Sequence, residues 1–490
     1  MKFLKQTLIV AVPLALSLSL AGCGGGGGGG GSTTPNVPPA LIGAEPNGGS
    51  WNPIVLSSGT EVAPPAAAAV TQAERDELRT LQATRNAGAT QTARFWNDGV
   101  TVRWNEIARE LVMKYRVSPP VASRQYAALS VAQYDALVAA FAAKYRVKRP
   151  APAAQDATLT PLFGAEVDPV YPSTHAVVSG ASARVLAKFY PAEATFVADK
   201  AREAEESRVY AGMNYRSDIT AGDALGRTVA DRVLTRVAAD GANAQLTPRS
   251  QANWWINKTR ADAKRISPRD TADPGRWTGV NPLLPRWGEV KTWLVPSVIA
   301  LRPVAPPAFG SAEFNTALAE VRQISDNRTA EQLRIAQFWA DGAGTATPPG
   351  HWNQIACDLL REKGVKELRS ARALALLNMS QMDAAICCWD AKYAYWLLRP
   401  WMADPQITTP VGQPNFPSYT SGHSTFSGAA ADVLGYIFPD KKPMLSAMAD
   451  EAALSRLYGG IHYRFDNDRG VEGGRAIAQF AITRGQSDGS

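Results

Sequence analysis

The hydrophobic and polar positions of this 490-residue chain are grouped as they are in α-helices. Thr71-x-x-Glu74 and Thr329-x-x-Gln332 match the capping box that starts a helix, and each precedes a run rich in Ala, Leu, Arg and Glu. The stretch from Glu367 to Leu398 is nearly free of Gly and Pro, which predicts a helix buried on most sides. No stretch shows the sustained β-branched alternation of strands. The pattern therefore predicts an all-α fold.

Several short segments occur twice in the same order. The clearest pairs are ARFWNDG from Ala93 with AQFWADG from Ala336, and SRVYAGMNYRSD from Ser207 with SRLYGGIHYRFD from Ser455. Lys392 and Lys144, His423 and His175, and Asp466 and Asp218 are all 248 positions apart, since 392 − 144, 423 − 175 and 466 − 218 each give that number. Helical periodicity alone does not hold one register over such a length, so the repeats indicate a duplicated domain.

The repeats predict two helical bundles related by internal duplication. We place a degenerate N-terminal bundle at 66–240 and a catalytic bundle at 326–486. The connector between them, 241–325, is irregular and rich in tryptophan and proline, and a tract of this length is usually functional or packs as a lid. Its tryptophans are expected to fill the seam between the bundles: Trp254, Trp255, Trp277, Trp287 and Trp293.

The first residues predict export. Lys2 and Lys5 precede a short apolar run, and the segment LAGC ends at Cys23, so residues 1–23 have the pattern of a signal peptide. The small residues before the cysteine resemble a bacterial lipoprotein cleavage box, which implies a lipid on Cys23. Residues 24–65, rich in glycine and proline, are predicted to be a flexible linker. We expect secretion across the inner membrane and anchoring at the periplasmic face of the outer membrane or at the cell surface.

Charge and cysteine content exclude other classes. The formal charge of +7 is spread along the chain without a basic block, so nucleic-acid binding is not expected. Contact with a membrane is expected only through the lipid on Cys23. The remaining cysteines are three in number and include no Cys-x-x-Cys pair, so Cys357, Cys387 and Cys388 are expected to be buried small hydrophobic residues.

Three segments of the second repeat carry candidate chemistry. Lys392 and Arg399, seven positions apart, are predicted to lie on one helix face before Pro400 ends the helix. The second segment, Ser421, Gly422 and His423, leads into a predicted helix. The third segment contains Arg456, His462 and Asp466, and the last two of these are one helical turn apart.

Together these side chains suit a highly charged tetrahedral oxyanion. Three cations, a hydroxyl and a glycine N–H would hold its oxygens, and two histidines would supply a ligand or nucleophile and a proton carrier. Each residue alone has a structural alternative: a surface cation, an ordinary salt bridge or a satisfied core histidine. Because two of the four histidines lie in these short segments, a site is the better interpretation.

The segments KYAYWLLRP, PSYTSGHS and SRLYGGIHYRFD resemble the three-part signature of the vanadium-dependent haloperoxidases. The type 2 phosphatidic acid phosphatase superfamily, which includes bacterial acid phosphatases, shares this signature. The resemblance implies vanadate as cofactor, with phosphate or sulfate able to occupy the same site. It implies His462 as the axial vanadate ligand, His423 as the acid-base group, and a set of groups for the equatorial oxygens: Lys392, Arg399, Arg456, Ser421 and Gly422. In a peroxidase, Lys392 would also be catalytic, because it would polarise the bound peroxide before the halide attacks. Asp466, one turn after His462, is expected to orient the imidazole.

The first repeat lacks key parts of this signature. Thr174 stands where the second repeat has glycine, and Asn214 stands where it has His462. Arg149 lies two positions before the register of Arg399, since 149 + 248 is 397. An amide cannot replace imidazole as ligand or nucleophile, so the first bundle is predicted to be degenerate.

The signature leaves two activities open. A haloperoxidase would use hydrogen peroxide, a halide and a small organic substrate; an acid phosphatase would act through a phosphohistidine at His462. Two bundles with a tryptophan-rich connector resemble the haloperoxidases, which we favour. Phe416 lies where chlorinating members carry phenylalanine. A non-catalytic lipoprotein scaffold is a third hypothesis, and a homo-oligomer is left open.

Overall fold

A computed structural model of the chain describes residues 43–164, 166–246 and 274–490. Within these ranges there is no strand, and the β-bridges are two isolated ones. The predicted all-α fold class is therefore confirmed.

The described helices fall into two halves, one on each side of the connector. Those of the first half are α1 (Gln72–Thr84), α2 (Ala87–Asn97), α3 (Val100–Lys114), α4 (Pro119–Val147), α5 (Pro152–Gln155), α6 (Thr174–Phe189), α7 (Ala194–Tyr210), α8 (Arg216–Ala238) and α9 (Ala242–Gln245). Those of the second half are α10 (Ala312–Asn327), α11 (Ala330–Phe338), α12 (Thr347–Glu362), α13 (Glu367–Tyr395), α14 (Pro400–Ala403), α15 (Gly422–Ile437), α16 (Lys442–Tyr458) and α17 (Arg464–Gln486).

The helices from α4 to α8 match those from α13 to α17 in length and register. Each begins and ends 248 positions before its counterpart, as α4 begins at Pro119 and α13 at Glu367. Origin by duplication, and the division at 66–240 and 326–486, stay predictions, but the five helices α4–α8 recur in the same order as α13–α17.

The long helices α4 and α13 pack against each other at the centre. One hydrophobic cluster includes Trp104 and Leu137 of the first half with Trp352 and Leu374 of the second, so the halves share a core. Of the described residues, one segment, Pro119–Gln155, is long and apolar enough to cross a membrane. This segment contains α4, and 94% of its most apolar window is buried inside the protein, as expected for a core helix.

Residues 43–65 differ from the predicted flexible linker. Trp51 is 2% exposed, and the Asp135 carboxylate of α4 accepts hydrogen bonds from the backbone N–H groups of Ile54, Val55 and Leu56. Composition indicated a flexible chain, but a buried indole and three backbone hydrogen bonds fix this part of it. The rest of the predicted linker, the signal peptide and Cys23 lie outside the described residues.

The connector packs on α13 in the equivalent way. Asp383 of α13, 248 positions after Asp135, accepts hydrogen bonds from the backbone N–H groups of Trp293, Leu294 and Val295. The guanidinium of Arg236 in α8 lies 3.4 Å from the centroid of the Trp293 ring. Trp293 therefore contacts both halves, as the seam hypothesis expected.

The other tryptophans and the cysteines are placed as follows. Trp277 and Trp287 are buried in a cluster with the second half of α13, whereas Trp254 and Trp255 lie outside the described residues. The predicted burial of the three cysteines is confirmed: Cys357, Cys387 and Cys388 are buried and unpaired.

Candidate functional site

Lys392 and Arg399 do not share a helix face as predicted. The helix α13 ends at Tyr395, because Trp396 adopts a left-handed conformation with φ of 54°. The chain then runs beside the connector, and Leu398 N–H donates to the carbonyl of Gly275. Pro400 begins the short helix α14 rather than ending a long one. Both cations are nevertheless fully buried.

Lys392 holds the loop that leads into α15. Its ammonium donates to three backbone carbonyls of that loop, with Nζ 3.1 Å from the oxygen of Pro417, 2.8 Å from that of Ser418, and in contact with that of Thr420. Three N–H groups thus meet three carbonyl oxygens. The lysine contributes a buried positive charge and fixes the shape of the loop.

Arg399 joins the loop to His462. Its Nε donates to the Phe416 carbonyl at 3.0 Å, and its Nη1 donates to the Ile461 carbonyl at 2.8 Å. Nη1 also lies 2.9 Å from Nε2 of His462. Its Nη2 is buried and has no hydrogen-bond partner among the described residues.

The histidine His462 is held from its other nitrogen by Asp466. Asp466 is the third residue of α17 and closes a capping box with Tyr463. Its Oδ2 lies 2.8 Å from Nδ1 of His462 and accepts a further hydrogen bond from Tyr463 N–H at 3.2 Å. The expected contact of Asp466 with the imidazole is therefore present. With Nδ1 as donor to the carboxylate, Nε2 carries the lone pair and accepts from Arg399.

The start of α15 presents backbone N–H groups beside an open space. Ser421 is the N-cap and accepts from Ser424 N–H at 3.4 Å, so its hydroxyl proton is not used in this bond. A Cβ built on Gly422 would meet only the ring of Trp389, at 3.7 Å. The side chain of His423 is partly buried, and its Nε2 is buried without a hydrogen-bond partner in the described part of the chain.

Arg456 lies at the end of α16 and is 1% exposed. Its Nε donates to Ser455 Oγ, and its Nη2 donates to the carbonyl of Ala336, each at 2.9 Å. Across the ranges that the structure describes, no carboxylate forms an ion pair with Lys392, Arg399 or Arg456.

Burial lowers the pKa values of the basic side chains of this site, because it favours their neutral forms. It lowers the pKa of Lys392 to about 7, and it lowers the pKa of Arg399 and of Arg456 to about 10. Burial and then the nearby cation Arg399 hold the pKa of His462 well below its ordinary value of 6.5. Burial and then Arg456 do the same for His423. Both imidazoles are therefore neutral at pH 7.

The arrangement fits a tetrahedral oxyanion such as vanadate. Buried cations without a carboxylate partner are costly unless an anion completes the site. Arg399 Nη2 and His423 Nε2 are buried without partners, and the space beside Gly422 is open. Hydrogen-bond donors, among them the unpartnered Nη2 of Arg399, therefore surround the lone pair of His462 Nε2. A multiply charged anion requires such an excess of donors.

Phe416 closes one side of this cluster. The centroid of its ring lies 5.2 Å from Lys392 Nζ and 5.0 Å from Arg399 Cζ, and 5.0 Å from the ring centroid of Trp389. An apolar ring at this position limits water around the cations, which strengthens their interaction with an anion.

The equivalent position in the first half is neutralised. Arg149 forms an ion pair with Asp218 at 2.6 Å, and Arg208 forms one with Glu166 at 3.3 Å. Lys144 still donates to the carbonyl of Pro169 at 2.6 Å. The first half therefore retains the lysine–loop contact but satisfies its arginines with carboxylates.

A cavity lies beside this position of the first half and is lined by residues of both halves. It has a volume of about 430 Å³ and its lining includes Thr174, His175, Arg208, Phe141 and Leu360. This cavity was not expected from the sequence. Its size does not make it the better candidate, because the residues with uncompensated charge lie in the second half.

The sequence analysis missed two groups of residues beside the site. Ser418 donates from Oγ to Asp466 Oδ2. His351 Nδ1 lies 3.1 Å from Asp341 Oδ2, and the negative charge of Asp341 acts on Arg456. The sequence did contain one indication of a role for Ser418. The first repeat, which lacks the counterpart of His462, has Val170 at the equivalent position and so lacks the hydroxyl as well.

Comparisons with known proteins support the resemblance. Residues 441–488 match a family model described as the second helical-bundle domain of VCPO. A bacterial vanadium-dependent iodoperoxidase is 26% identical over 78% of this chain and 95% of its own, with a TM-score of 0.60. The holo form of a bacterial vanadium-dependent chloroperoxidase is 14% identical over 76% of this chain and 93% of its own, with a TM-score of 0.55. No curated protein sequence matches the chain.

These findings confirm the resemblance to vanadium-dependent haloperoxidases that the sequence predicted. The protein has the helical fold of these enzymes, and the matched family domain contains Arg456, His462 and Asp466.

Proposed function

We propose that this protein is a vanadate-dependent haloperoxidase. It would oxidise a halide with hydrogen peroxide to a hypohalous species that halogenates a small organic substrate. In the overall reaction the halide is oxidised, peroxide is reduced to water, and one proton is consumed. The observation that carries the proposal is the cluster of three buried cations without an ion-pair partner in the described ranges, next to the neutral ring of His462.

The residues of the second half would divide the binding of vanadate among them. His462 would hold it through the Nε2 lone pair, which Asp466 secures by accepting the Nδ1 proton. Arg399 and Arg456 would neutralise its oxygens, together with the Ser421 hydroxyl and the Gly422 N–H. When bound, vanadate would activate hydrogen peroxide as a Lewis acid.

The hydrogen bonds of Lys392 indicate a different role from the direct contact with the anion that the resemblance implied. All three N–H groups of its ammonium are directed to carbonyls of the loop before α15. It would therefore act mainly by its charge and by holding the Ser421–His423 segment in place, rather than as a dedicated donor to one oxygen.

His423 would be the acid-base group. Its Nε2 is buried and unpartnered within the described ranges, and burial and then Arg456 lower the pKa of the ring, which keeps it neutral before an anion binds. A bound anion beside the ring would raise this pKa and so allow His423 to accept a proton. A proton is taken from peroxide and returned during its reduction, so a neutral base at this position suits the reaction.

An acid phosphatase is the second candidate. The Asp466–His462 pair is also the arrangement that a nucleophilic histidine requires, with a carboxylate to stabilise the ring as it becomes positive. Solved structures similar to this chain include a bacterial vanadium-dependent iodoperoxidase and a bacterial vanadium-dependent chloroperoxidase, which favours the first candidate.

A paired assay tests the proposal. Purified protein stripped of bound anion is assayed for bromination with hydrogen peroxide, with and without vanadate, and for hydrolysis of a phosphomonoester. Vanadate-dependent bromination supports the proposal. Phosphatase activity inhibited by vanadate, without bromination, would establish the second candidate instead.

We further propose that the enzyme is exported and held on a lipid at Cys23. The signal-like segment before this cysteine supports this, together with the glycine-rich segment after it. Globomycin-sensitive processing and labelling with a palmitate analogue would test it, and an unprocessed, unlabelled chain would contradict it.

A further inference from the structure

The side chain of Ser418 connects parts of the site that lie far apart in the sequence. Its carbonyl accepts a hydrogen bond from Lys392 Nζ at 2.8 Å, and its backbone N–H donates to the Leu397 carbonyl at 2.8 Å. Its hydroxyl donates to Asp466 Oδ2 and lies 3.4 Å from Nδ1 of His462. Ser418 is fully buried, so water does not substitute for these contacts.

We propose that Ser418 is a positioning residue for His462. Its hydroxyl holds the Asp466 carboxylate in the place where it accepts the Nδ1 proton of the imidazole. The imidazole then keeps its Nε2 lone pair for the anion. The inference rests on the proposed anion-binding function of His462 and extends it to a residue of the segment PSYTSGHS to which the resemblance assigns no role.

The contacts of Asp466 explain why one hydroxyl matters. Its Oδ2 receives hydrogen bonds from His462, Tyr463 and Ser418, whereas its Oδ1 is buried without a partner in the described part of the chain. Two of the three donors belong to the same short segment as the carboxylate. Ser418 is therefore the contact that ties Asp466 to a different part of the site, and its loss would allow the carboxylate to rotate away from the ring.

A buried imidazole that loses its acceptor has another arrangement available. The proton can then move to Nε2, the nitrogen that otherwise accepts from Arg399, and in that form Nε2 has no lone pair with which to hold an anion. Residues that hold a ligating histidine through its second nitrogen typically affect ligand affinity by about 10- to 100-fold.

The first half of the protein shows the arrangement without the serine. Val170 occupies the position equivalent to Ser418, and Asn214 occupies that of His462. There the carboxylate of Asp218 is held by Arg149 at 2.6 Å. The hydroxyl is thus absent in the half that has no imidazole to orient, although the carboxylate is retained.

The test compares Ser418→Ala with Ser418→Thr, which restores a hydroxyl. The control is Ser427→Ala, since Ser427 is a buried serine of α15 whose Oγ accepts from Trp352 Nε1 at 2.9 Å, away from Asp466. Vanadate affinity of the anion-free full chain is measured by titration calorimetry. The tautomer of His462 is measured from the ¹⁵N shifts of histidine-labelled protein before vanadate is added.

We expect Ser418→Ala to weaken vanadate binding by about tenfold or more and to move His462 from the Nδ1–H form toward the Nε2–H form. Ser418→Thr should restore both, and Ser427→Ala should change neither. Unchanged affinity and tautomer in Ser418→Ala would overturn the proposal, and so would an equal loss of affinity in Ser427→Ala. A wild-type protein that binds vanadate without bromination would contradict the haloperoxidase function alone, because affinity and tautomer are read without turnover.

Discussion

Asn353 donates a hydrogen bond of 2.9 Å from Nδ2 to Oδ1 of Asn105, its own counterpart 248 positions earlier in the chain. Asn378 donates in the same way to Ser130, also at a separation of 248. A residue contacts its counterpart only close to an axis that relates the two repeats. These buried polar pairs therefore mark a pseudo-two-fold axis between the halves, and their hydrogen bonds fix the register in which α4 and α13 pack.

Replacing Asn353 should destabilise the whole protein. The Nδ2 group of Asn353 donates to Asn105, and its Oδ1 accepts from the buried Arg109. Asn353→Ala therefore removes this partner from the charge of Arg109 and from the amide of Asn105. We expect a loss of about 3 kcal/mol in the free energy of unfolding, measured with a denaturant. Gln354→Ala is the control, because the half-buried side chain of Gln354 bonds, within the described ranges, to Asp358 and not to the pair of asparagines. A loss below about 1 kcal/mol for Asn353→Ala would contradict the role of this pair.

The two halves should respond differently to substitution at equivalent positions. His462→Asn gives the second half the residue that the first half already has, and it should abolish vanadate binding because an amide offers no imidazole lone pair. Asn214→Ala, at the equivalent position of the first half, should leave vanadate affinity and bromination within about twofold of the wild type. Both are read from vanadate titration and bromination rate. A large loss of activity in Asn214→Ala would show that the first half takes part in catalysis.

Anion binding should weaken as pH rises. Burial lowers the pKa of Lys392 from 10.5 to about 7 in the anion-free protein, so Lys392 is charged below pH 7 and becomes neutral above it. Between about pH 7 and 10, Lys392 is neutral in the folded protein and protonated in the unfolded chain. Its titration therefore makes the anion-free protein more stable as pH rises. A bound anion keeps the lysine protonated, so stabilisation by the anion is greatest at low pH.

Sulfate is a suitable probe of this dependence because its charge is constant between pH 6 and 9. The rise in Tm that sulfate produces should be larger at pH 6 than at pH 9. The variant Arg399→Gln, which lacks a buried cation of the site, corrects for the general effect of sulfate on stability. A site-specific rise in Tm that is equal at both pH values would show that Lys392 does not titrate in this range.

Phe416 should influence the choice of halide. Its ring lies about 5 Å from both Lys392 and Arg399, and Phe416→His would bring a polar group and water to this wall. We expect the ratio of chlorination to bromination to fall by about tenfold, equivalent to about 1.4 kcal/mol. Phe416→Leu keeps the wall apolar and should preserve the ratio. An unchanged ratio in Phe416→His would remove Phe416 from halide selection.

The sequence predicted most of the site because its chemistry lies in short segments. Ser421, Gly422 and His423 occupy the start of a helix, and Asp466 contacts His462 as the spacing suggested. Such contacts depend on local backbone geometry, which the sequence of each segment largely determines.

The remaining features depend on contacts between distant residues. Arg399 reaches the site because Trp396 ends α13 in a left-handed conformation and the connector pairs with the next residues, which helical spacing does not predict. Residues 54–56 are fixed because Asp135, about 80 positions later, accepts their N–H groups. Ser418 was missed because its partner Asp466 lies 48 positions away.

The central claim is that vanadate bound in the second half makes this protein a haloperoxidase. The most direct measurement is the bromination rate of anion-free protein as vanadate is added in known amounts relative to the chain. We predict a rate that rises linearly and levels off at one vanadate per chain, and no activity for His462→Ala at any vanadate concentration. Bromination without vanadate, or none at saturating vanadate, would contradict the claim.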